Sequence, residues 1–299
     1  ILKRITLMQV IELGQPYDGP IALALGYFDG MHLGHRTILN KAVELAAKYG
    51  ARTAVTTFAD SPNRTDPIYT YNERKKLFAE CGAEICLSLT YIRICNMRGR
   101  EFFDKLVTTY DIRAMVSGAN HKFGSDGCDV DALASFCRER NIELVVMPLL
   151  DYGGVRVSST AIKAFLATGD VDSAKKLLSE PYHISGYVVS GDGRGHNIGV
   201  PTANIDLPLG AMEIKRGVYG TYTTVDGKSY RSVTNYGARP TFMQSKFAIE
   251  TNLMGYDGGD LRNKYITVYF HKYIRPIRKY PTAEALVERI RKDKEWTDL

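Results

Sequence analysis

Short apolar segments alternate with amphipathic segments of helical period along the first half of the chain. Repeated strand–helix units of this kind predict a parallel sheet that helices cover on both faces. Thr70 precedes Glu73 by three residues, the spacing of a capping box at the start of a helix. The predicted strands are 21–28, 51–58, 83–89, 112–117 and 142–148, and the predicted helices are 35–49, 71–81, 101–109 and 128–140.

A different pattern fills the last third of the chain. Two short helical patterns, 161–169 and 171–178, end at Pro181. Beyond it, segments rich in Tyr, Val and Thr are separated by Gly, Asp and Asn turns, which predicts an antiparallel barrel or sandwich. A helical pattern at 281–296 would pack on it. We therefore predict two domains, 1–181 and 182–299, with strands in the second at 182–190, 217–225, 230–237, 247–254 and 265–274.

The length of the chain agrees with two domains, and its composition argues against several classes of function. At 299 residues the chain has the length at which single cores usually split. Its net charge of +6 is small and no long basic run occurs, so an anionic small substrate explains it and nucleic-acid binding is not predicted. The five cysteines are odd in number and form no CxxC pair, which argues against a disulfide framework or a zinc site.

No segment approaches the roughly 18 to 20 consecutive apolar residues that a membrane span requires. The first residues are mixed in character, not continuously apolar. We expect a soluble, untargeted cytoplasmic protein that binds small molecules, does not bind nucleic acid or membranes, and is a monomer or a transient homo-oligomer.

The first candidate site is GYFDGMHLGH, which joins the predicted strand ending at Phe28 to the following helix. A strand-to-helix turn presents backbone amides and the positive end of the helix dipole to an anion. His32 and His35, beside glycines, are suited to hold a triphosphate during attack at phosphorus, which points to nucleotidyl transfer. The alternative is a tight turn formed by Gly30 and Gly34 with incidental histidines.

The second candidate site is GDGRGHNIGVPTANI at 191–205. Its glycines free the backbone to wrap a polyphosphate, and Arg194 adds positive charge. Thr202 and Asn204 offer the oxygen ligands that Mg²⁺ takes. A flexible hairpin turn is the alternative for this segment.

The two motifs carry a resemblance. GYFDGMHLGH resembles the signature of the bacterial bifunctional riboflavin kinase/FMN adenylyltransferase family, and GRGHNIGVPTANI is similar to the motif of its riboflavin kinase part. The resemblance implies a Rossmann-like α/β nucleotidyltransferase domain of the HxGH type with a parallel sheet. It further implies a mainly antiparallel β-barrel kinase domain with a C-terminal helix. The expected reactions are phosphorylation of riboflavin to FMN and adenylylation of FMN to FAD, with ATP as co-substrate and Mg²⁺.

The resemblance also implies roles for individual residues. His32 and His35 would contact ATP phosphates, and Glu250 would accept the proton of the riboflavin hydroxyl. Thr202 and Asn204 would organise Mg-ATP. The remaining residues expected to bind ATP or substrate are Gly26, Phe28, Asp29, Gly30, Gly34, Asn120, Ser158, Ser159, Thr160, Gly191, Gly193, Arg194, Gly199, Pro201 and Arg275.

Four positions depart from the family pattern. Ser61 stands where the family has a histidine, His121 where it has an aromatic residue, and Lys163 where it has an arginine. Asn252 replaces a frequent histidine. The first three allow a second hypothesis, in which the kinase alone is active or the adenylyltransferase acts on another phosphorylated substrate. A third hypothesis is a flavin-binding or flavin-sensing protein without turnover.

Overall fold

The computed structural model describes residues 8–60, 66–189, 202–208, 210–238 and 247–297. The chain forms two compact units, Ile1–Ser159 and Thr160–Leu299. This division assigns the two short helices before Pro181 to the second unit. The boundary that we predicted after Pro181 is the point where strands replace helices along the chain. The division into domains 1–181 and 182–299 stays a prediction.

The first unit is built on a six-stranded parallel sheet of order β1-β4-β3-β2-β5-β6. An antiparallel two-stranded ribbon, β7–β8, follows it. The strands are β1 (Gln9–Glu12), β2 (Pro20–Ala24), β3 (Arg52–Phe58), β4 (Ile85–Leu89), β5 (Asp111–Gly118), β6 (Glu143–Met147), β7 (Asp151–Tyr152) and β8 (Val155–Arg156). The helices are α1 (Leu33–Tyr49), α2 (Tyr71–Glu80), α3 (Tyr91–Ile94), α4 (Gly99–Thr109) and α5 (Val130–Glu139).

Most residues of the central strands are buried, as expected for a parallel sheet covered on both faces. Every residue of β4 is buried. The predicted α/β architecture is therefore confirmed, and Thr70 caps α2 by accepting a hydrogen bond from Glu73 N at 3.4 Å. The strand β1 was not predicted, because its four residues are too few to show a pattern. The strand expected to end at Phe28 ends at Ala24 instead.

The order of the strands creates a switch point. From β2 the chain moves outward on one side through β3 and β4, and it then returns to place β5 on the other side of β2. The segments that follow β2 and β5 therefore emerge side by side at the carboxyl edge of the sheet. Open α/β sheets bind their ligands at such a crevice.

The second unit begins with two helices and continues as a closed six-stranded antiparallel barrel of order β10-β13-β12-β11-β14-β9. Closure decides between the predicted barrel and sandwich. The short strand β10, within the second motif, was not predicted as a strand. The elements are α6 (Ser159–Thr168), α7 (Val171–Leu178), β9 (His183–Val189), β10 (Ala203–Asp206), β11 (Gly217–Val225), β12 (Lys228–Ala238), β13 (Phe247–Leu253), β14 (Tyr265–Arg275) and α8 (Ala283–Asp293).

Five hydroxyl groups form a ring inside the barrel, and all five residues are fully buried. They come from β11, β12 and β13, so the ring ties three adjacent strands together. Each oxygen has two neighbours in the ring, which satisfies groups that would otherwise be costly to bury. The contacts join Thr221 to Ser232 (2.8 Å) and Thr234 (2.7 Å), Thr223 to Ser232 (2.8 Å) and Thr251 (3.1 Å), and Thr234 to Thr251 (2.9 Å).

An ion pair and an indole fix the C-terminal segment on the barrel. The fully buried carboxylate of Asp293 accepts hydrogen bonds from Arg275 Nη2 at 2.7 Å and Nε at 3.0 Å. Trp296 packs against Val218 and donates from its indole to the Ser232 carbonyl at 3.0 Å. Among the described residues, no helix is both long and apolar enough to cross a membrane.

We predict that Asp293→Asn lowers the free energy of unfolding by about 3 kcal/mol, because it leaves the guanidinium of Arg275 buried without a counter-charge. Urea denaturation of the whole chain measures the effect. The matched control is Arg289→Gln. Arg289 Nε lies 3.0 Å from the same carboxylate, but the side chain is 37% exposed, so its removal should cost less than about 1 kcal/mol. Equal losses in the two variants would contradict this assignment.

Candidate functional site

The turn after β2 has an unusual backbone. Phe28, Gly30 and Met31 have φ angles of 58°, 80° and 43°, in the left-handed region. The side chains of Phe28 and Met31 are buried and anchor the turn. The φ of Gly30 favours glycine, and a Cβ there would lie 2.8 Å from Ile68 Cδ1, so the end of the Ile68 side chain would have to move.

Asp29 joins two predicted motifs. Its buried side chain accepts a hydrogen bond from Ile68 N at 2.8 Å. Its backbone carbonyl accepts one from the Ser159 hydroxyl at 2.9 Å. The structure thus brings Ser159 to the HxGH turn, although 130 residues separate it from Asp29 in sequence.

The two histidines lie at the N-terminus of α1. His32 is the N-cap, and its Nδ1 accepts from His35 N at 3.3 Å, which places the proton of the neutral ring on Nε2. The two rings stack with centroids 3.6 Å apart. Burial lowers the pKa of His32 to about 4, so the stacked pair avoids two adjacent positive charges. A helix N-terminus is a position at which proteins commonly bind anions.

Sequence reasoning missed a buried arginine beneath this turn. Arg74 on α2 is 2% exposed and donates to the carbonyls of Tyr27 at 3.0 Å and Phe58 at 2.9 Å, and also to the Thr57 hydroxyl. Its guanidinium lies 4.4 Å from the centre of the Tyr27 ring. Desolvation lowers its pKa. Arg74 therefore joins the segments at the carboxyl ends of β2 and β3 through α2.

Two threonines of β3 complete this support. The Thr57 hydroxyl donates to the Tyr27 carbonyl at 2.7 Å, and Thr56 Oγ1 accepts from Gly26 N at 3.1 Å. Gly26, which was predicted to bind the ligand, is thereby bonded to a side chain of β3, and it is not part of β2. These side-chain bonds replace ladder bonds and explain why β2 ends early. The signal in the sequence was the Thr-Thr at the end of a buried strand.

The segment after β5 lies beside the same edge. Asn120 is exposed and lies two residues after the end of β5. His121 stacks on Phe123 with ring centroids 5.8 Å apart. Ser158 and Thr160 flank Ser159 at the start of α6. Ser61 lies outside the described residues.

In the second unit, strand register aligns three polar residues. Glu250 on β13 is the direct partner of Asn204 on β10 and of Asn235 on β12. Direct cross-strand partners point to the same face of a sheet. Their chain neighbours Ala203, Thr234, Ile249 and Thr251 are buried, whereas Glu250 is exposed. The three side chains therefore form a row on the outer face of the barrel.

The other predicted residues of the second unit lie beside this row, are engaged by another side chain, or fall outside the described residues. Thr202 is exposed and precedes β10 directly. Arg275 is occupied by Asp293, a contact that the sequence did not suggest. Within the described ranges, no group of three or more His, Cys, Asp or Glu is placed to hold a metal ion. Gly191, Gly193, Arg194, Gly199 and Pro201 lie outside the described residues.

Comparison with known families assigns each part of the chain. Residues 15–161 match the FAD synthetase family model, and residues 178–298 match the riboflavin kinase model. The first match contains the HxGH turn and the serine segment. The second contains the Asn204–Glu250–Asn235 row.

Curated relatives match over nearly the whole chain. A bifunctional riboflavin kinase/FMN adenylyltransferase from Bacillus subtilis is 30% identical and covers 96% of this chain and 96% of its own. The enzyme of the same name from Pseudomonas fluorescens is 31% identical over 90% of this chain and 89% of its own. A crystal structure described as a macrolide-efflux protein from Streptococcus pneumoniae superposes with a TM-score of 0.84. It is 27% identical and covers 97% of this chain and 100% of its own.

We predict that acid destabilises the protein through His32. The folded state keeps the ring neutral down to about pH 4, whereas the unfolded state binds a proton below its ordinary pKa of 6.5. Stability is therefore lost as the pH falls from 6.5 towards 4, by up to about 3 kcal/mol.

The comparison of wild type with His32→Gln isolates this contribution. Unfolding free energies are measured for both proteins at pH 7.5 and 4.5, and the loss between the two pH values should be about 2 to 3 kcal/mol smaller in the variant. An equal loss in the two proteins would show that His32 is not the group responsible.

Proposed function

The chain belongs to the bifunctional riboflavin kinase/FMN adenylyltransferase family, and we propose that its two units each hold one active site. It phosphorylates riboflavin to FMN and adenylylates FMN to FAD. The observation that carries the assignment of the sites is that each matched family segment contains its own cluster of predicted ligand-binding residues. The HxGH turn lies in the first segment and the Glu250 row in the second.

The adenylyl transfer is assigned to the carboxyl edge of the parallel sheet. A phosphate oxygen of FMN attacks the α-phosphorus of ATP, and pyrophosphate leaves. The α1 N-terminus and the rings of His32 and His35 would stabilise the triphosphate as negative charge moves to the leaving group. Ser159, held to the Asp29 carbonyl, places the adjacent Ser158 near the same turn. Asn120 would face the nucleotide from β5.

The phosphoryl transfer is assigned to the outer face of the barrel. The terminal hydroxyl oxygen of riboflavin attacks the γ-phosphorus of ATP, its proton passes to the Glu250 carboxylate, and ADP leaves. Glu250 is exposed and therefore accessible to a substrate. Asn204, its direct partner on β10, lies beside it.

The donor set fits magnesium. Thr202 and Asn204 would contribute neutral oxygens to a bound Mg²⁺, and because this ion usually keeps waters and substrate phosphates as ligands, it would not need a cage of acidic residues. When bound, Mg²⁺ neutralises charge on the phosphates. Thr202 and Asn204 would hold it next to Glu250. We further propose a cytoplasmic location and action on small molecules, without nucleic-acid or membrane partners.

The alternatives differ in their products. A flavin-sensing protein would not need Glu250, since binding alone requires no proton acceptor. A kinase with a retargeted first unit would form FMN without FAD. Incubation with riboflavin, ATP and Mg²⁺, followed by chromatography of the flavins over time, separates the hypotheses. We expect FMN first and then FAD.

The two activities should be separable by mutation. His35→Ala should reduce FAD formation from FMN at least about a hundredfold, through loss of charge stabilisation, and should spare FMN formation. Glu250→Ala should reduce FMN formation about a hundredfold or more, through loss of the base, and should spare adenylylation of added FMN.

Each variant serves as the control for the other, and circular dichroism checks that both are folded. Loss of both activities in either folded variant would contradict two independent sites.

A further inference from the structure

Asn235 is the third member of the row on the barrel, and neither the motifs nor the resemblance assigned it a role. It is the direct partner of Glu250 across the β12–β13 ladder. Opposed side chains in an antiparallel pair have Cβ atoms about 4.5 to 5.5 Å apart. The Asn235 amide therefore borders the carboxylate on the side opposite Asn204.

The amide oxygen of Asn235 is buried without a hydrogen-bond donor. Asn235 Oδ1 is shielded from solvent and has no hydrogen-bond partner among the described residues. A buried carbonyl oxygen without a donor is costly, and most such oxygens in folded proteins are paired. Asn235 is the direct cross-strand partner of Glu250, the proposed base. The missing donor for Asn235 Oδ1 is explained if a bound ligand supplies it.

The strands that carry Asn235 and Glu250 are joined inside the barrel. Its neighbour Thr234 and the neighbour of Glu250, Thr251, are joined by a 2.9 Å hydrogen bond in the hydroxyl ring. Both are fully buried, so the two strands are fixed from the inside of the barrel while the two polar side chains point outward. Asn235 and Glu250 are thus held in a constant relation, as required for groups that bind one substrate.

ATP and riboflavin differ in the hydrogen-bond donors that they can offer to Asn235 Oδ1. The part of ATP that must lie near Glu250 is its γ-phosphate, whose ionised oxygens are acceptors only, so a carbonyl oxygen would repel it. Riboflavin carries a polyol chain with several hydroxyl donors next to the hydroxyl that is phosphorylated. We infer that Asn235 Oδ1 accepts a hydrogen bond from a ribityl hydroxyl of riboflavin and thereby fixes the chain with its terminal hydroxyl at Glu250. This inference rests on the proposed kinase function.

Steady-state kinetics of FMN formation at saturating Mg-ATP test the inference. Asn235→Ala should raise the KM for riboflavin about tenfold, the effect of one lost hydrogen bond, with an unchanged Mg²⁺ requirement. Asn235→Asp keeps an acceptor oxygen and should hold KM within about twofold of wild type, although the added charge near the phosphates lowers kcat. The matched control is Ser229→Ala. Ser229 lies on β12 six residues before Asn235, and its side chain is on the same face of the strand.

Each result decides the question. An unchanged KM for riboflavin in Asn235→Ala would overturn the inference, as would a raised Mg²⁺ requirement with normal KM, which would assign the donor to a metal-bound water. A lower thermal midpoint with unaltered KM and kcat would show a structural role alone and would also overturn it. If wild type forms no FMN, the proposed function fails. If wild type is active and KM does not respond, the inference about Asn235 alone fails.

Discussion

Strand register determines which side chains meet at both sites. In the barrel, the hydrogen-bonded ladders place Asn204, Glu250 and Asn235 opposite one another on three adjacent strands, although they are distant in sequence. A shift of one residue would exchange the inner and outer faces, and Glu250 would then point into the hydroxyl ring. In the first unit, the parallel ladders bring the ends of β2, β3 and β5 to one edge. The chemistry of each unit therefore depends on backbone pairing before it depends on any single side chain.

Both units support their sites with buried polar groups instead of apolar packing alone. Arg74 joins carbonyls at the ends of β2 and β3, and the five hydroxyls join β11, β12 and β13. Hydrogen bonds are directional, so they fix relative positions more closely than contacts between alkyl groups. The cost is that every member must keep its partners. These networks therefore restrict the surrounding sequence more than a hydrophobic core does.

The sequence predicted the architecture well, because long apolar strands and amphipathic helices have a clear period. It did not predict β1 or β10, which have four residues each. The HxGH turn was found because its residues are adjacent in the chain. Asn235 and Arg74 were not found, since their importance arises from partners that only the folded chain brings near. Likewise, nothing in the sequence pairs Arg275 with Asp293, and the predicted ligand role of Arg275 remains a prediction.

Arg74 couples the motions of three segments of the first unit. Its guanidinium contacts Tyr27 after β2, Thr57 and Phe58 of β3, and it belongs to α2 itself. Fluctuations that separate any one of these segments must break charge-assisted bonds to the others in the same event. Amide hydrogens along these segments should therefore exchange with solvent in a correlated way, as one cooperative opening unit.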